Sequence, residues 1–248
     1  MYKPKLTPLS ENTASETLCL PETFTLLVWN LQKTNFSHFL FRPIEALINV
    51  PAPHILSLQE ASTLPLQNRF FNFPFVMAPN IQTAKYHYGV LTASPFQTKP
   101  YQQCLTRARE IGLTTHKTAL ITHHLLANGL TLIHVNIHAI NFVSNQTFNK
   151  ELKYLWSFLT HQTGPMIISG DFNTWNKTRL RSLQKAAQLL KLEAVPFADT
   201  RPIKTLLRQP LDHIFYRQLT LTTSHALNVP SISDHNPLIA TFSTPKNT

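Results

Sequence analysis

The chain has 248 residues, enough to bury a sizeable core, and 43% of them are hydrophobic, which excludes wholesale disorder. Lys and Arg number 22 against 12 Asp and Glu, so the net charge is +10, which fits an anionic partner such as nucleic acid or acidic lipid and, equally well, plain solubility charge. Two cysteines, Cys19 and Cys104, exclude a disulfide framework or thiolate metal cage; with no secretory signal or membrane-spanning apolar run visible, a cytoplasmic monomer without membrane insertion is expected.

Residues 1–22 are rich in Thr, Ser, Pro and Glu without periodicity and read as a flexible arm. Residues 23–248 read as one catalytic domain, with no internal repeat or linker. An apolar strand over 24–29 ends in Asn30. A helix is expected over 42–50, stopped by Pro51 and Pro53. A strand over 54–58 delivers Gln59 and Glu60. Strands follow over 86–92 and 118–123, and another over 130–137 runs into His138. Over 146–161, Phe148, Leu152, Leu155, Trp156 and Leu159 recur at helical spacing. Gly164-Pro165 breaks that helix, and a strand over 166–169 aims at Asp171. A second amphipathic helix covers 178–192, and strands over 211–216, 219–223 and 238–242 complete the set. Strands alternating with helices predict an α/β fold, whose sites form where strands stop.

Six short stretches stand out, most of them at such ends: Trp29-Asn30, Gln59-Glu60, Asn136-Ile137-His138, Gly170-Asp171-Phe172-Asn173, Leu211-Asp212-His213 and Ser233-Asp234-His235. Four of the 12 acids (Glu60, Asp171, Asp212, Asp234) lie in them, so a chain poor in carboxylates groups those it has. The set suits phosphodiester hydrolysis. A hard divalent cation, Mg²⁺ or Mn²⁺, takes oxygen ligands, for which Glu60 and the Asn30 side-chain oxygen are candidates. Asp171 can accept a proton from water or orient it, and Asn173 can donate to a phosphate oxygen. His138 and His235 can act as phosphate donors or bases, with Asp212 to orient His235. His134, on the same strand face as His138, reads as packing. Lys117 can offer a charge to phosphate. Trp175, Lys177, Arg179 and Arg181 cluster after Asn173 and could stack a base and hold a backbone; a solvated helix start with an anchoring Trp explains them equally well.

In their order these motifs resemble the endonuclease/exonuclease/phosphatase superfamily, which includes DNase I, abasic-site endonucleases, neutral sphingomyelinases and inositol polyphosphate 5-phosphatases. The resemblance spans about residues 24–242. Lys117-Thr118-Ala119-Leu120, His138-Ala139-Ile140-Asn141-Phe142, Asp171-Phe172-Asn173-Thr174-Trp175, Pro210-Leu211-Asp212-His213-Ile214-Phe215 and Ser233-Asp234-His235-Asn236-Pro237-Leu238 are similar to its YafD-like bacterial branch. The resemblance implies a two-sheet β-sandwich flanked by helices, the DNase I-like four-layer α/β/β/α fold. It implies Asn30 and Glu60 as metal ligands, with Asp234 supporting the metal or phosphate. His138 and Asn173 would hold phosphate, Asp171 would act on the water, and His235, oriented by Asp212, would be base or phosphate ligand. The sequence departs from some members at Gln32, where they carry an acid, and at Lys117, where DNase-like members carry Arg. Tyr86 and Tyr88 are candidates for the tyrosine of abasic endonucleases.

Three functions are carried forward. The first is a metal-dependent nuclease acting on DNA or RNA, supported by the charge. The second is a phosphoesterase for a phospholipid headgroup or inositol phosphate, for which the aromatic run 68–75 could serve as a membrane finger or, on ordinary burial tendencies, a buried element. The third, a catalytically inactive binding protein, is disfavoured because every motif residue is present.

Overall fold

The computed structural model describes residues 19–33, 44–47, 53–70, 72–110, 115–229 and 231–244. Of the arm expected over 1–22, residues 1–18 lie outside the described residues. Of the helix expected over 42–50, residues 44–47 are described and are helical.

The strands run in chain order as β1 (Cys19–Leu20), β2 (Thr23–Asn30), β3 (Ile55–Thr63), β4 (Arg69–Phe70), β5 (Phe73–Gln82), β6 (His87–Ala93), β7 (Lys99–Leu105), β8 (Thr118–Leu126) and β9 (Thr131–His138). Helix α1 (Asn145–Ser157), β10 (Met166–Asp171) and helix α2 (Lys177–Leu189) follow. The chain continues as β11 (Glu193–Ala194), β12 (Thr205–Leu206), β13 (Gln209–Pro210), β14 (Asp212–Arg217), β15 (Thr220–Ala226) and β16 (Leu238–Ser243). One sheet has the order β1-β8-β9-β10-β14-β11, with β7 also on β8; the other runs β15-β16-β2-β3-β6-β5-β4. The two sheets face each other. Helices α1 and α2 cover the outer face of the first through Phe148, Leu152, Leu155, Leu183 and Ala187, and Ile44 packs on the outer face of the second. This is the expected two-sheet sandwich with helices outside.

Side chains alternate along a strand, so each strand sends one row inward between the sheets. On β9 the outward row Ile133, Val135, Ile137 packs under the helices, while the inward row is Leu132, His134, Asn136, His138. On β10 the inward row is Ile167, Ser169, Asp171; on β2 it is Leu26, Val28, Asn30; on β3 it is Ile55, Ser57, Gln59. All four rows begin apolar and end polar at the same edge of the sandwich. The intermediate polar groups bond across the sheet interface. Ser57 and Ser169 hydroxyls are 2.9 Å apart, and Gln59 Nε2 donates to Asn136 Oδ1 at 2.7 Å. Asn136 Nδ2 donates to the Leu58 and Leu91 carbonyls at 3.1 and 2.9 Å. Most polar groups of this buried seam are paired with one another or with main-chain carbonyls, which lowers its cost, while Gln59 Oε1 has no partner among the described residues.

Two long strands, β5 and β7, have no clear sequence signal. Each carries proline, and each ladder shifts register there, between Pro79 and Ile81 and between Pro100 and Gln102. The aromatic run 68–75 is part of β4 and β5: Phe70 is buried and Phe73 and Phe75 pack on the core, so they form the buried element; Phe71 lies outside the described residues.

His134 is fully buried with Nε2 3.2 Å from the Ser169 hydroxyl, and burial pushes its pKa down to about 3. Burial, together with His134 and His123, moves His124 in the same direction. Unfolded, such an imidazole takes up a proton near its ordinary value of 6.5. Stability is therefore fully present above that pH and is lost as pH falls toward the folded value, by about 1.4 kcal/mol per pH unit per histidine. Melting temperatures measured from about pH 7 down to about pH 4.5 are expected to fall progressively, and His134→Gln to flatten the slope; a pH-independent melt would contradict this.

Candidate active site

The site forms at the shared polar edge. Parallel pairing of β9 with β10 sets His138 beside Asp171, and antiparallel pairing of β10 with β14 sets Asp171 beside Asp212. Parallel pairing of β2 with β3 sets Asn30 beside Gln59. Glu60 reaches the site by a different device. The β3–β6 ladder jumps from Leu58 to Ala61, and Glu60 takes φ +48 in that bulge, which lifts it out of the ladder. The loop after Asn30 is clipped to it, with Lys33 N–H donating to the Glu60 carbonyl at 3.1 Å.

Gly170 sits at φ +134 within β10. A Cβ there would collide with the Ile137 carbonyl and meet Gln59 Nε2 at 3.1 Å. The glycine is thus required by the close approach of β9 as well as by its backbone angle. The segment 233–235 is held against the end of β2: Ser233 Oγ donates to the Asn30 carbonyl at 2.7 Å, and Trp29 Nε1 donates to the His235 carbonyl at 2.9 Å.

Asp171 is the hub. Its Oδ2 accepts from Asn30 Nδ2 at 3.0 Å and lies 3.7 Å from His138 Nε2 and 3.9 Å from His235 Nε2. Its Oδ1 accepts from the Asn173 N–H at 2.9 Å, across a turn in which Asn173 takes φ +51. Burial, reinforced by Asp212, raises its pKa to about 7, against the opposing pull of His235, the Asn173 N–H and Lys117. His235 Nδ1 and Asp212 Oδ2 are 2.7 Å apart. Burial would lower the His235 pKa, but Asp212, aided by Asp171 and Asp234, overrides it and raises it to about 9. His138 is the opposite case. Burial and the charges of Lys117, His235 and Lys33 hold it well below the ordinary value, so it stays neutral. Lys117 Nζ is 2.9 Å from its Nε2, and the positive charge on this flank is the lysine. Lys117 is also 3.6 Å from Glu110 and 3.9 Å from Glu60.

Eight expected residues thus meet within one linked cluster: Asn30, Glu60, Lys117, His138, Asp171, Asn173, Asp212 and His235. Asp234 joins it at the rim, 3.9 Å from His235 Nε2, with Lys204 Nζ 3.0 Å from its Oδ2. Lys204 carried no sequence signal, since it lies in a loop of no distinct pattern. Glu110 could have been found as one of the few acids. Asn173 directs its amide to the Ala139 carbonyl at 2.9 Å, so in this arrangement it braces the site.

The tightest group of potential metal donors among the described residues is Asp171, Asp212 and His235, whose ligand atoms lie within 4.8 Å of one another. The set expected from the sequence was Asn30, Glu60 and Asp234. Asn30 is engaged by Asp171 and by the Gln32 N–H, which donates to its Oδ1 at 3.0 Å. Asp212 Oδ1 is buried with no hydrogen-bond partner among the described residues. An unpartnered buried carboxylate oxygen among further hard oxygen donors fits a divalent cation.

The helix-start cluster corrects the sequence reading. Arg179, expected at the substrate, is 0% exposed. Its guanidinium donates to the carbonyls of Ile140 (3.3 Å), Asn173 (3.1 Å) and Val143 (2.6 Å), and burial lowers its pKa to about 10. It cannot reach a phosphate because apolar packing and its own carbonyl partners enclose it. Trp175 is half-buried, with Nε1 donating to Asn141 Oδ1 at 2.9 Å and Arg179 4.6 Å from its ring centre. Arg181 and Lys177 stand exposed on α2.

A two-sheet sandwich that gathers a buried aspartate, two imidazoles, a lysine and amides at one strand-end edge is the architecture of DNase I-like phosphodiester hydrolases. The chain belongs to the Endonuclease/Exonuclease/phosphatase family, whose profile matches residues 27–235. It is 36% identical over 220 residues to the UPF0294 protein of Vibrio campbellii, covering 88% of this chain and 76% of that one, which accords with a YafD-like branch. Solved structures share the fold. An endonuclease/exonuclease/phosphatase family protein from Leptotrichia buccalis matches with TM-score 0.67 and 15% identity, over 88% of this chain and 98% of that one. D. rerio TDP2 complexed with a single-strand DNA product matches with TM-score 0.61 and 17% identity, over 90% of this chain and 99% of that one.

Arg179→Lys keeps the charge but loses the planar fork that serves three carbonyls. It is expected to destabilise by about 2–3 kcal/mol, on the order of 5–10 °C in melting temperature, whereas Arg181→Ala should leave the melt within about 2 °C. Equal melts for the two variants would refute the bracing role.

Proposed function

We propose that the protein is a divalent-metal-dependent phosphodiesterase acting on nucleic acid. The observation that carries the reading is the Asp171 carboxylate, buried between two imidazoles of opposite protonation preference. Asp171, with its pKa raised to about 7, is suited to accept the proton of an attacking water. His235, held protonated by Asp212, is suited to donate to a phosphoryl oxygen. Lys117 sets a further positive charge on the far side of Asp171, beside neutral His138. Asn173 N–H orients Asp171, and Asp212 fixes the ring of His235.

Mg²⁺ or Mn²⁺ would be held by oxygen donors of Glu60, Asn30 and Asp234, with Asp212 Oδ1 as a further donor, and would supply charge neutralisation of the phosphate and leaving oxygen. The nucleic-acid substrate is supported by the net charge of +10 and by exposed Arg181.

A second reading, a lipid headgroup substrate, has one observation in its favour. The β12–β13 hairpin presents Leu206 and Leu207, 43% and 68% exposed, on a tip where Leu207 and Arg208 both take positive φ. Its base is tied to the site through the Leu211 N–H, which donates to the Lys204 carbonyl at 3.0 Å.

The deciding experiment is cleavage of DNA and RNA oligonucleotides, sphingomyelin vesicles and inositol phosphates, each with Mg²⁺ and with EDTA. Oligonucleotide cleavage abolished by EDTA is expected; full activity after chelation would sink the metal assignment, and cleavage of lipid alone would move the substrate. Asp171→Asn and His235→Ala are each expected to lower turnover by about 10²–10⁴. Glu60→Gln should raise the metal concentration required for half-maximal rate while leaving the thermal melt near wild type.

A further inference from the structure

The loop 139–144 leaves β9 directly after His138, and its main chain is held by buried groups at almost every residue. The Ala139 N–H donates to the Asp171 carbonyl at 2.8 Å, and its own carbonyl accepts from Asn173 Nδ2. The Ile140 and Val143 carbonyls accept from enclosed Arg179. The Asn141 N–H donates to Glu110 Oε1 at 2.6 Å, and Asn141 Oδ1 accepts from Trp175 Nε1. Glu110 in turn holds Lys117. One residue of the loop fits none of this. Phe142 is 63% exposed and takes φ +34, a backbone angle that is an outlier for a bulky side chain. Its N–H donates to Asn141 Oδ1 at 2.9 Å, so the turn that imposes the angle is itself braced.

Burying an arginine and several carbonyls to fix a short loop is costly, and so is holding an aromatic residue at positive φ with its ring in water. Strain of this kind persists where the surroundings over-determine it, and here they include Asn173, Glu110 and the segment leaving Asp171. At no more than about 3.6 Å per residue, the Phe142 Cα lies within about 15 Å of the His138 Cα, in reach of nucleotides flanking a phosphate bound there. The neighbouring aromatic, Trp175, is braced: its indole nitrogen is occupied and Arg179 lies over its ring.

We propose that Phe142 is a substrate-positioning platform whose ring stacks on a nucleobase adjacent to the scissile phosphodiester. The proposal rests on the nucleic-acid reading above and adds where a base is held and by what. A ring carried on a braced backbone loses little freedom on binding, and aromatic stacking is tolerant of sequence because every base presents a π face.

The test is steady-state cleavage of single-stranded oligonucleotides in Mg²⁺ by wild type, Phe142→Ala and Phe142→Trp. Phe142→Ala is expected to raise KM about 5- to 100-fold with a smaller change in kcat, and Phe142→Trp to restore KM. Thermal melts of both variants, as controls for folding, are expected to match wild type. An abasic residue is then moved through the oligonucleotide one position at a time. At the stacked position the penalty of Phe142→Ala should disappear, which a merely structural role would not produce. An unchanged KM for Phe142→Ala, or a penalty that persists with every abasic oligonucleotide, overturns the proposal while leaving the nuclease reading intact. Failure to cleave any oligonucleotide overturns both. In that case, a blue shift in Phe142→Trp emission on phosphatidylserine vesicles, measured against Trp-containing wild type, assigns the ring to a bilayer.

Discussion

A carboxylate buried at the common edge of two sheets is the constraint around which this protein is arranged. Asp171 sits where water is scarce, so each neighbour changes its energy by more than the same neighbour would in solution. Asn30 and the Asn173 N–H hold its oxygens, and His235 and Lys117 offset its charge from opposite sides. Those groups come from the ends of β2, β8 and β10 and from the loop before β16. The inner rows of β2, β3, β9 and β10 must therefore all turn polar at the same level. The hydrogen-bonded seam of Ser57, Asn136, Ser169 and Gln59 provides that transition between the apolar end of the sandwich and the site.

The excess of positive charge has two uses that composition cannot separate. Part of it is structural. Arg179 clamps the carbonyls of Ile140, Asn173 and Val143, and Arg217 similarly donates to the carbonyls of Gly164, Leu190 and Gln162. With only 5 glycines and 18 prolines, the loops have few residues that turn freely, and two arginines tie loop carbonyls where a glycine-rich turn could have bonded to itself. The other part faces the site, as Lys117 beside His138 and Lys204 beside Asp234.

The two histidines nearest Asp171 show how position decides chemistry. Both are buried, which alone would lower both pKa values. Asp212, 2.7 Å from His235, reverses the effect there, while Lys117, 2.9 Å from His138, adds to it. One ring is thereby held protonated and the other neutral.

Local elements are readable from the amino-acid pattern alone. An apolar run of strand length ending in a polar residue marks a strand end, so Asn30, His138 and Asp171 were legible, as were both helices to within a few residues, from the spacing of their apolar stripes. The tertiary structure decided everything that depends on which distant segment lies alongside. Strands β5 and β7 were hidden because their prolines suppress the local signal, and pairing with β6 and β8 overrides it. The bulge at Glu60 exists because β6 pairs on both sides of it. Arg179, exposed by the logic of a helix start, is enclosed because the loop after β9 packs over that start and brings its carbonyls within reach. Burial and pairing are properties of the space around a residue, and that space is filled by parts of the chain 39 to 206 positions away, beyond the reach of any local pattern.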